Sequence, residues 1–264
     1  MDGGDISYGG YLKLDALLSS QAPLSNEHDE MLFIVIHQAA ELWMKLCLHE
    51  LGGARRLIAA DELSPAFKML SRTARVQAQL IQSWEVLSTM TPADYHRLRE
   101  HLGTSSGFQS HQYRMLEFVL GARDEEMVAI HEATPPIAMQ LRQELARPTL
   151  YDESLRLLAR RGLPVPARVL ERDVRLRHES DPGVEACWAE IYRNADRYWD
   201  LYELAEKLMD VEHHVQLWRF GHVKTVERII GFRRGTGGTS GVAYLTNVLS
   251  KGFFPELLSV RTIL

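Results

Sequence analysis

Two histidines occupy positions that helical periodicity reserves for apolar side chains. His37 follows Phe33 by one turn, in a pattern whose other inward members are Ala40, Met44 and either Cys47 or Leu48. His222 continues an apolar series that includes Leu208, Val211, Val215 and Trp218 and resumes at Val226 and Ile229. A buried imidazole needs a metal ion, a carboxylate or a backbone carbonyl as partner. The spacing therefore predicts two inward-facing histidines that are either hydrogen-bonded core residues or metal ligands.

Other histidine arrangements give weaker signals. His214 can reach the same face as His222, four residues before Trp218, and periodicity alone leaves the choice between the two histidines open. Residues 49–53 begin like a zinc-protease motif, but a glycine stands where the second histidine must be. A di-iron bundle needs paired Glu-x-x-His motifs, and the sequence offers only the off-face residues 210–213. We set both of these metal sites aside.

A phenol and a guanidinium lie one helical turn apart at Tyr95 and Arg99. Residues at this spacing share a helix side, so the two groups could converge on one carboxylate. The same spacing is also typical of an exposed surface pair, and the residues alone favour that interpretation.

A glycine-rich stretch, GTGGTSG at residues 235–241, follows the helical pattern that carries His222. We expect the helix to end near Phe232, with Gly235 free to turn left-handed after it. The stretch lacks the third glycine of a dinucleotide fingerprint and the Gly-Lys-Ser/Thr ending of a P-loop. It is interpreted as a mobile lid over a small ligand.

Composition limits the class of protein. Of the 264 residues, 45% are hydrophobic and 25% are charged, and the formal net charge is -5, so nothing favours nucleic-acid binding. The two cysteines cannot form a disulfide framework or a multi-cysteine metal site. The N-terminus lacks the features of a signal peptide, and the apolar run at residues 31–40 is too short to span a bilayer. We expect a cytoplasmic protein without a membrane segment.

The elements that must position these residues are helices. A first long helix is predicted from Ser25 or Asn26 to about Leu51, with residues 52–53 loosening or kinking it. Further helices are predicted from Pro65 to about Leu87, from an N-cap at Thr91, across residues 108–120 with a stop at Gly121, and through residues 184–232. No stretch alternates convincingly enough for a sheet, so the fold class is all-α, with residues 1–264 forming a single domain.

The remaining segments are predicted to be peripheral or to close the fold. Residues 1–20 form an arm, around Tyr8 and Tyr11, that packs on its own subunit or on a neighbouring one. Residues 127–182 carry several prolines and charge runs, which indicates short outer helices with solvated faces. The C-terminal segment is expected to pack on the bundle through Phe253 and Phe254.

Four long motifs resemble the tryptophan 2,3-dioxygenase family. They are HDEMLFIVIHQAAELWMK, TPADYHRLREHLGTSSGFQSHQYR, the stretch from NADRYWDLYE to RRGTGGTSG, and FFPELLSVRT. The resemblance covers nearly the whole chain and is weakest over residues 127–182. It implies an all-helical homotetramer that contains haem b, with ferrous iron in the active form. It also implies insertion of dioxygen across the indole C2–C3 bond of L-tryptophan, which gives N-formyl-L-kynurenine, the first product of the kynurenine pathway.

The resemblance also assigns roles to residues. His222 is expected to be the proximal iron ligand, which leaves His214 a core or supporting residue, and His37 is expected to face the substrate. Phe33 and its neighbours through His37, including Ile34, Val35 and Ile36, are expected to contact the indole. The carboxylate and ammonium groups would be bound by Tyr95, Arg99 and Thr236. Ser106 is placed near the distal pocket, Trp84 near the haem edge, and Tyr8 and Tyr11 on an arm that enters a neighbouring subunit's site.

Two rival functions share parts of this pattern. A haem dioxygenase for a different indole would not need Tyr95 and Arg99 to bind an α-carboxylate. A helical scaffold or haem sensor could keep the bundle and His222, but it would not need the carboxylate-binding pair and the lid together.

Overall fold

The computed structural model describes residues 7–233 and 241–264, and every regular element in these ranges is helical. The all-α prediction is confirmed. Three long helices form the centre, and α4 packs along both of the others. These helices are α3 (Asp29–Ala59), α4 (Leu63–Leu87) and α12 (Trp199–Ile230).

Shorter helices surround this centre. Before it come α1 (Tyr8–Leu12) and α2 (Leu14–Leu18). Between α4 and α12 come α5 (Pro92–Leu102), a 3₁₀ turn (Gly107–Gln109), α6 (His111–Leu120), α7 (Glu126–Ala129), α8 (Pro135–Leu145), α9 (Leu150–Arg160), α10 (Ala167–Leu170) and α11 (Pro182–Arg193). The chain ends with α13 (Val242–Leu249) and α14 (Pro255–Ile263).

Local signals placed several helix ends correctly. Thr91 caps α5 in a reciprocal capping box with Asp94, and proline follows at the first helical position, as predicted. Helix α6 ends at Gly121, whose φ of 123° suits glycine. Helix α12 ends at Ile230, close to the predicted Phe232, but Gly231, with a φ of 60°, makes the left-handed turn. The predicted Gly235 lies outside the described residues.

The prediction for α3 was wrong at both ends. The helix begins at Asp29 because the buried carboxylate of Glu30 accepts hydrogen bonds from the backbone N–H groups of Leu24 and Ser25, which holds that segment as a loop. The helix also continues through Gly53 to Ala59. A Cβ on Gly53 would lie 2.6 Å from the sulfur of Met69, so this glycine allows α4 to approach closely and does not kink the helix.

Residues 127–182 are less peripheral than predicted. Helix α9 buries most of one face against α3, and its Tyr151 is 1% exposed. The Tyr151 hydroxyl accepts from Trp188 Nε1 and donates to the buried carboxylate of Glu256 on α14. The prediction of short outer helices with solvated faces did not foresee the burial of α9, because prolines and charges flank its short apolar stripe. Phe253 and Phe254 are buried in the core, as predicted.

Helix α3 has an unusual surface. Among the described residues it is the one helix that is long and apolar enough to cross a bilayer, a criterion that applies to a longer stretch than the ten-residue apolar run at residues 31–40. A core helix of a soluble protein passes the same test, and α3 packs on α4, α6 and α9. Its outer side exposes Met31, Val35, Leu42 and Trp43.

Candidate active site

A cavity of about 720 Å³ opens between α3, α4, α5, α6, α12 and α13. Both sequence-predicted inward histidines, His37 and His222, line it. A small apolar cluster separate from the main core supports this wall: Phe33, Ile36, Trp84 and Tyr95 pack against Leu87, Met90, Leu98 and Ile229. The cavity therefore has an apolar wall and two imidazoles, a combination that suits a largely apolar ligand held by a few polar groups.

The tautomer of His37 follows from its contacts. Its Nδ1 lies 2.7 Å from the carbonyl oxygen of Phe33, one turn earlier in α3. A carbonyl oxygen can only accept, so Nδ1 carries the hydrogen and Nε2 of the neutral ring is an acceptor. Burial lowers the pKa of His37, although the Phe33 carbonyl and Glu41 act in the opposite direction. His37 therefore remains neutral near physiological pH and can accept a hydrogen bond from a ligand.

His222 has different surroundings. Its imidazole lies parallel to the indole of Trp84, with ring centroids 4.7 Å apart and planes inclined by 4°. Trp84 is held in place because its Nε1 donates to the carbonyl oxygen of Trp218, 3.0 Å away. Among the described residues, the ring of His222 has no hydrogen-bond partner. Burial, with a smaller contribution from His37, lowers the pKa of His222 to about 4, so the ring is a neutral base able to bind a metal.

The geometry separates His222 from His214. The Nδ1 of His214 bonds to the carbonyl oxygen of Asp210 at 2.7 Å, on an exposed part of α12, and His214 does not line the cavity. Only His222 of these two faces the site. In the part of the chain that the structure describes, no three His, Cys, Asp or Glu side chains converge as a possible metal-binding set.

The predicted carboxylate-binding pair is only partly brought to the cavity. Tyr95 lines it, with its ring 6.5 Å from that of Phe33. Burial raises the pKa of Tyr95, and the positive charge of Arg99 partly offsets that effect. Arg99 is half-buried one turn further along α5, outside the set of described residues that line the cavity. Thr236, the third predicted member, lies outside the described residues.

The other predicted site residues divide into two groups. Ser106, Ile36 and Trp84 line the cavity, and the Ser106 hydroxyl accepts from the backbone N–H of Phe108 at the start of the 3₁₀ turn. The second group is not brought to the cavity of the described chain and consists of Ile34, Val35, Tyr8 and Tyr11. Tyr8 and Tyr11 are 76% and 74% exposed. The predicted substrate contacts of this second group stay predictions.

Sequence reasoning missed a charged group in the cavity wall. Arg114 and Glu117 of α6 and Arg219 of α12 are all buried and all line the cavity. Glu117 accepts from Arg114 at 2.5 Å and from Arg219 at 3.0 Å. A signal was present, since arginine interrupts the apolar stripe of α12 three residues before His222. Helical periodicity alone reports only which side chains point inward, and it does not reveal the partners on other helices.

Comparison with known proteins agrees with this fold. A family model described as tryptophan 2,3-dioxygenase matches residues 1–134 and 189–264, which leaves out a stretch close to the weakly resembling residues 127–182. The chain is 66% identical over 261 residues to the tryptophan 2,3-dioxygenase of Erythrobacter litoralis, covering 98% of each protein. It is 56% identical over 258 residues to that of Exiguobacterium sibiricum, covering 98% of this chain and 92% of the relative.

The helical fold and these matches define an oxidoreductase of the dioxygenase class. The chain belongs to the tryptophan 2,3-dioxygenase family. The sequence resemblance is thus confirmed over nearly the full length.

Proposed function

We propose that this protein is a haem b-dependent dioxygenase that inserts dioxygen across the indole C2–C3 bond of L-tryptophan. The product is N-formyl-L-kynurenine, and the reaction opens tryptophan breakdown by the kynurenine pathway. Family membership supports the reaction and the substrate. The observation that carries the proposal is one cavity lined by two histidines in complementary states: His37 offers an acceptor nitrogen, and His222 has an unpartnered imidazole.

The residues present fit a haem. His222 is a neutral imidazole on the cavity wall, and its stacking on Trp84 restricts the orientation of the ring. Both features suit a proximal iron ligand, and a haem needs only one such protein ligand. The apolar cluster beside it gives a macrocycle a water-poor wall. Bound haem would supply ferrous iron, which binds and activates dioxygen.

The chain's own residues would position the indole. Phe33 and Tyr95 present aromatic rings to the cavity, and Ile36 adds an aliphatic surface. The Nε2 of His37 would accept a hydrogen bond from the indole N–H, which fixes the rotation of the ring in its plane. Removing that proton completely is not assigned to His37, because an indole N–H is a far weaker acid than imidazolium. Orientation of C2 and C3 is the contribution expected of this residue.

The amino-acid end of tryptophan would be held by charge and hydrogen bonds. Arg99 would pair with the carboxylate, and the Tyr95 hydroxyl would donate to the same group. Ser106 lies on the cavity wall within the loop that follows α5. Thr236 is proposed as a further contact from the family resemblance alone.

A homotetramer is part of the same proposal. Helix α3 leaves Met31, Val35, Leu42 and Trp43 exposed, and a second copy of the chain could bury them. The exposed Tyr8 and Tyr11 are proposed to reach a neighbouring subunit's site. Sedimentation of the purified wild type and of the Leu42→Glu variant tests the tetramer. If both proteins sediment as tetramers, the exposed face of α3 has no role in assembly.

The expected compartment is the cytoplasm, where the buried free thiols of Cys47 and Cys187 would stay reduced.

One optical experiment tests the reaction. Purified protein loaded with haem should show a Soret band and, on addition of L-tryptophan and air, should form the formylkynurenine chromophore with matching oxygen uptake. Turnover of free indole in preference to tryptophan would favour a dioxygenase for another indole. A Soret band without tryptophan-dependent oxygen uptake would favour a haem-binding sensor, and both outcomes contradict the proposal.

A further inference from the structure

Helix α13 is held in the cavity wall by two buried arginines that share one carboxylate. Glu117 accepts from Arg114 through Oε2 and from Arg219 through Oε1, and all three side chains are less than one-tenth exposed. Two positive charges and one negative charge are therefore buried together. Such a group is stable only while every partner remains in place, because an unpaired buried charge is strongly unfavourable.

The two arginines interact with opposite ends of α13. The Tyr244 side chain in the first turn lies near Arg114 and helps to raise the pKa of that guanidinium, and the Tyr244 ring meets the Phe108 ring edge-on with centroids 5.5 Å apart. Arg219 donates to the carbonyl oxygens of Val248 at 3.3 Å and Lys251 at 2.9 Å. Val248 lies in the last turn of α13 and Lys251 lies two residues beyond Leu249, so Arg219 is placed at the C-terminal end of the helix, where a cation is favoured.

Helix α13 has little else to hold it. Val242 is the one buried residue of α13, and the other apolar residues that pack it on α12 are only half-buried. A helix with few buried contacts belongs to the part of a fold that opens most easily. Yet Tyr244, Leu245 and Val248 line the cavity, so a shift of α13 would change the wall that faces the ligand.

We propose that Glu117 is a positioning residue that keeps α13 against the cavity through Arg114 and Arg219 and thereby sets the affinity for tryptophan. The part concerning tryptophan rests on the proposed function. Arg219 lies three residues before His222 in the same helix. Its contacts with the end of α13 therefore also fix the position of α13 relative to α12, the helix that carries the proposed iron ligand. Glu117 acts through its neighbours, and no contact between it and the substrate is invoked.

The test compares three variants of the full-length, haem-loaded protein. Glu117→Gln keeps the shape of the side chain and removes its charge, and Tyr244→Phe removes only the hydroxyl that interacts electrostatically with Arg114. Glu132→Gln is the matched control, because it makes the same change in a half-exposed pair with Arg142 that does not line the cavity. Hydrogen exchange of the amides of α13 and the KM and kcat for tryptophan are measured for each.

We expect Glu117→Gln to accelerate exchange within α13 and to raise KM on the order of tenfold with a smaller change in kcat. Tyr244→Phe should raise KM about threefold, and Glu132→Gln should match the wild type. Unchanged exchange in α13, or a uniform rise across the core with KM unchanged, would overturn the inference. If Glu117→Gln does not fold, the Tyr244→Phe result decides. The two measurements separate this inference from the proposed function. If the wild type does not oxidise tryptophan, the proposed function is wrong, but hydrogen exchange of the α13 amides still tests whether Glu117 positions α13.

Discussion

The indole of Trp84 and the imidazole of His222 lie face to face, 4.7 Å between centroids and within 4° of parallel. The residue between Trp218 and His222 that allows this approach is Gly221. A Cβ at Gly221 would lie 2.8 Å from Cδ1 of Trp84, a separation that real side chains avoid. Trp84 cannot easily move aside, because its Nε1 bonds to the carbonyl oxygen of Trp218. Glycine at this position therefore lets Trp84 restrain the proposed iron ligand.

Replacing Gly221 with alanine should disturb that stack. We expect Gly221→Ala to lower the free energy of unfolding by about 1–3 kcal/mol through overpacking and to shift the Soret band. The control is Gly52→Ala in α3, where the new Cβ would meet Arg56 at an ordinary 3.7 Å. That change should stabilise the protein by about 0.5–1 kcal/mol. Equal stabilisation by both substitutions, with unchanged spectra, would contradict the role given to Gly221.

Two histidine substitutions on α12 test the iron ligand. His222→Ala should abolish turnover and reduce haem retention, because no other cavity-lining histidine lies within a turn of it on α12. His214→Ala should leave the spectrum and activity largely intact, since His214 does not line the cavity. Haem content and activity of the two variants are measured together. Normal haem binding and turnover in His222→Ala would reject the assignment.

The sequence predicted the fold class and the inward faces of its helices, because both depend on local patterns. The capping box at Thr91 and the end of α6 at Gly121 each depend on residues that are close together in the sequence. The functions of Gly53 and Gly221 could not be predicted, since each depends on a side chain from α4, Met69 and Trp84 respectively.

The same limit applies to the candidate site. Periodicity put His37 and His222 on inward faces but could not reject His214, because two positions on one long helix can both lie near its apolar stripe. The network around Glu117 joins α6, α12 and α13, and such a tertiary arrangement has no signature in the spacing of any single helix.

Arg99 should act mainly on substrate affinity. We expect Arg99→Ala to weaken tryptophan binding by roughly 2–5 kcal/mol, the loss typical of a charge-assisted pair in a partly desolvated site. Tryptamine, which lacks the carboxylate, should be far less sensitive to the change. Dissociation constants for both ligands give the comparison. Equal losses for tryptophan and tryptamine would mean that Arg99 maintains structure and does not bind the carboxylate.

The lowered pKa of His37 predicts how binding varies with pH. Burial favours the neutral ring, so protonation in the folded protein begins only below the ordinary value of 6.5. Tryptophan affinity should stay level from pH 8 to about 6.5 and fall at lower pH, because protonated Nε2 donates and cannot accept from the indole. Binding titrations between pH 5.5 and 8 measure the dissociation constant for tryptophan at each pH. A similar fall in His37→Ala would assign the dependence to another group.

The same shift affects stability, with a definite sign. The unfolded chain binds this proton near the ordinary pKa of 6.5, whereas the folded chain binds it only at lower pH. The free energy of unfolding should therefore have no contribution from His37 well above pH 6.5 and should decrease as the pH falls below that value. Denaturant titrations of wild type and His37→Ala should show a shallower decrease for the variant. A steeper decrease would mean that the folded ring has a raised pKa.

The role of His37 itself can be separated from base catalysis. Its Nδ1 bonds to the Phe33 carbonyl at 2.7 Å, which leaves Nε2 to orient the indole N–H. On this account His37→Ala lowers turnover and affinity but keeps measurable activity, since the variant loses orientation and no obligatory proton transfer. In the wild type, 1-methyltryptophan should fail mainly because its methyl group crowds His37, so the variant should accept it relatively better. Turnover of both substrates by both proteins measures this. If His37→Ala keeps its haem and binds tryptophan normally but falls to the background of haem-free protein, obligatory base catalysis is correct and the orienting role is wrong.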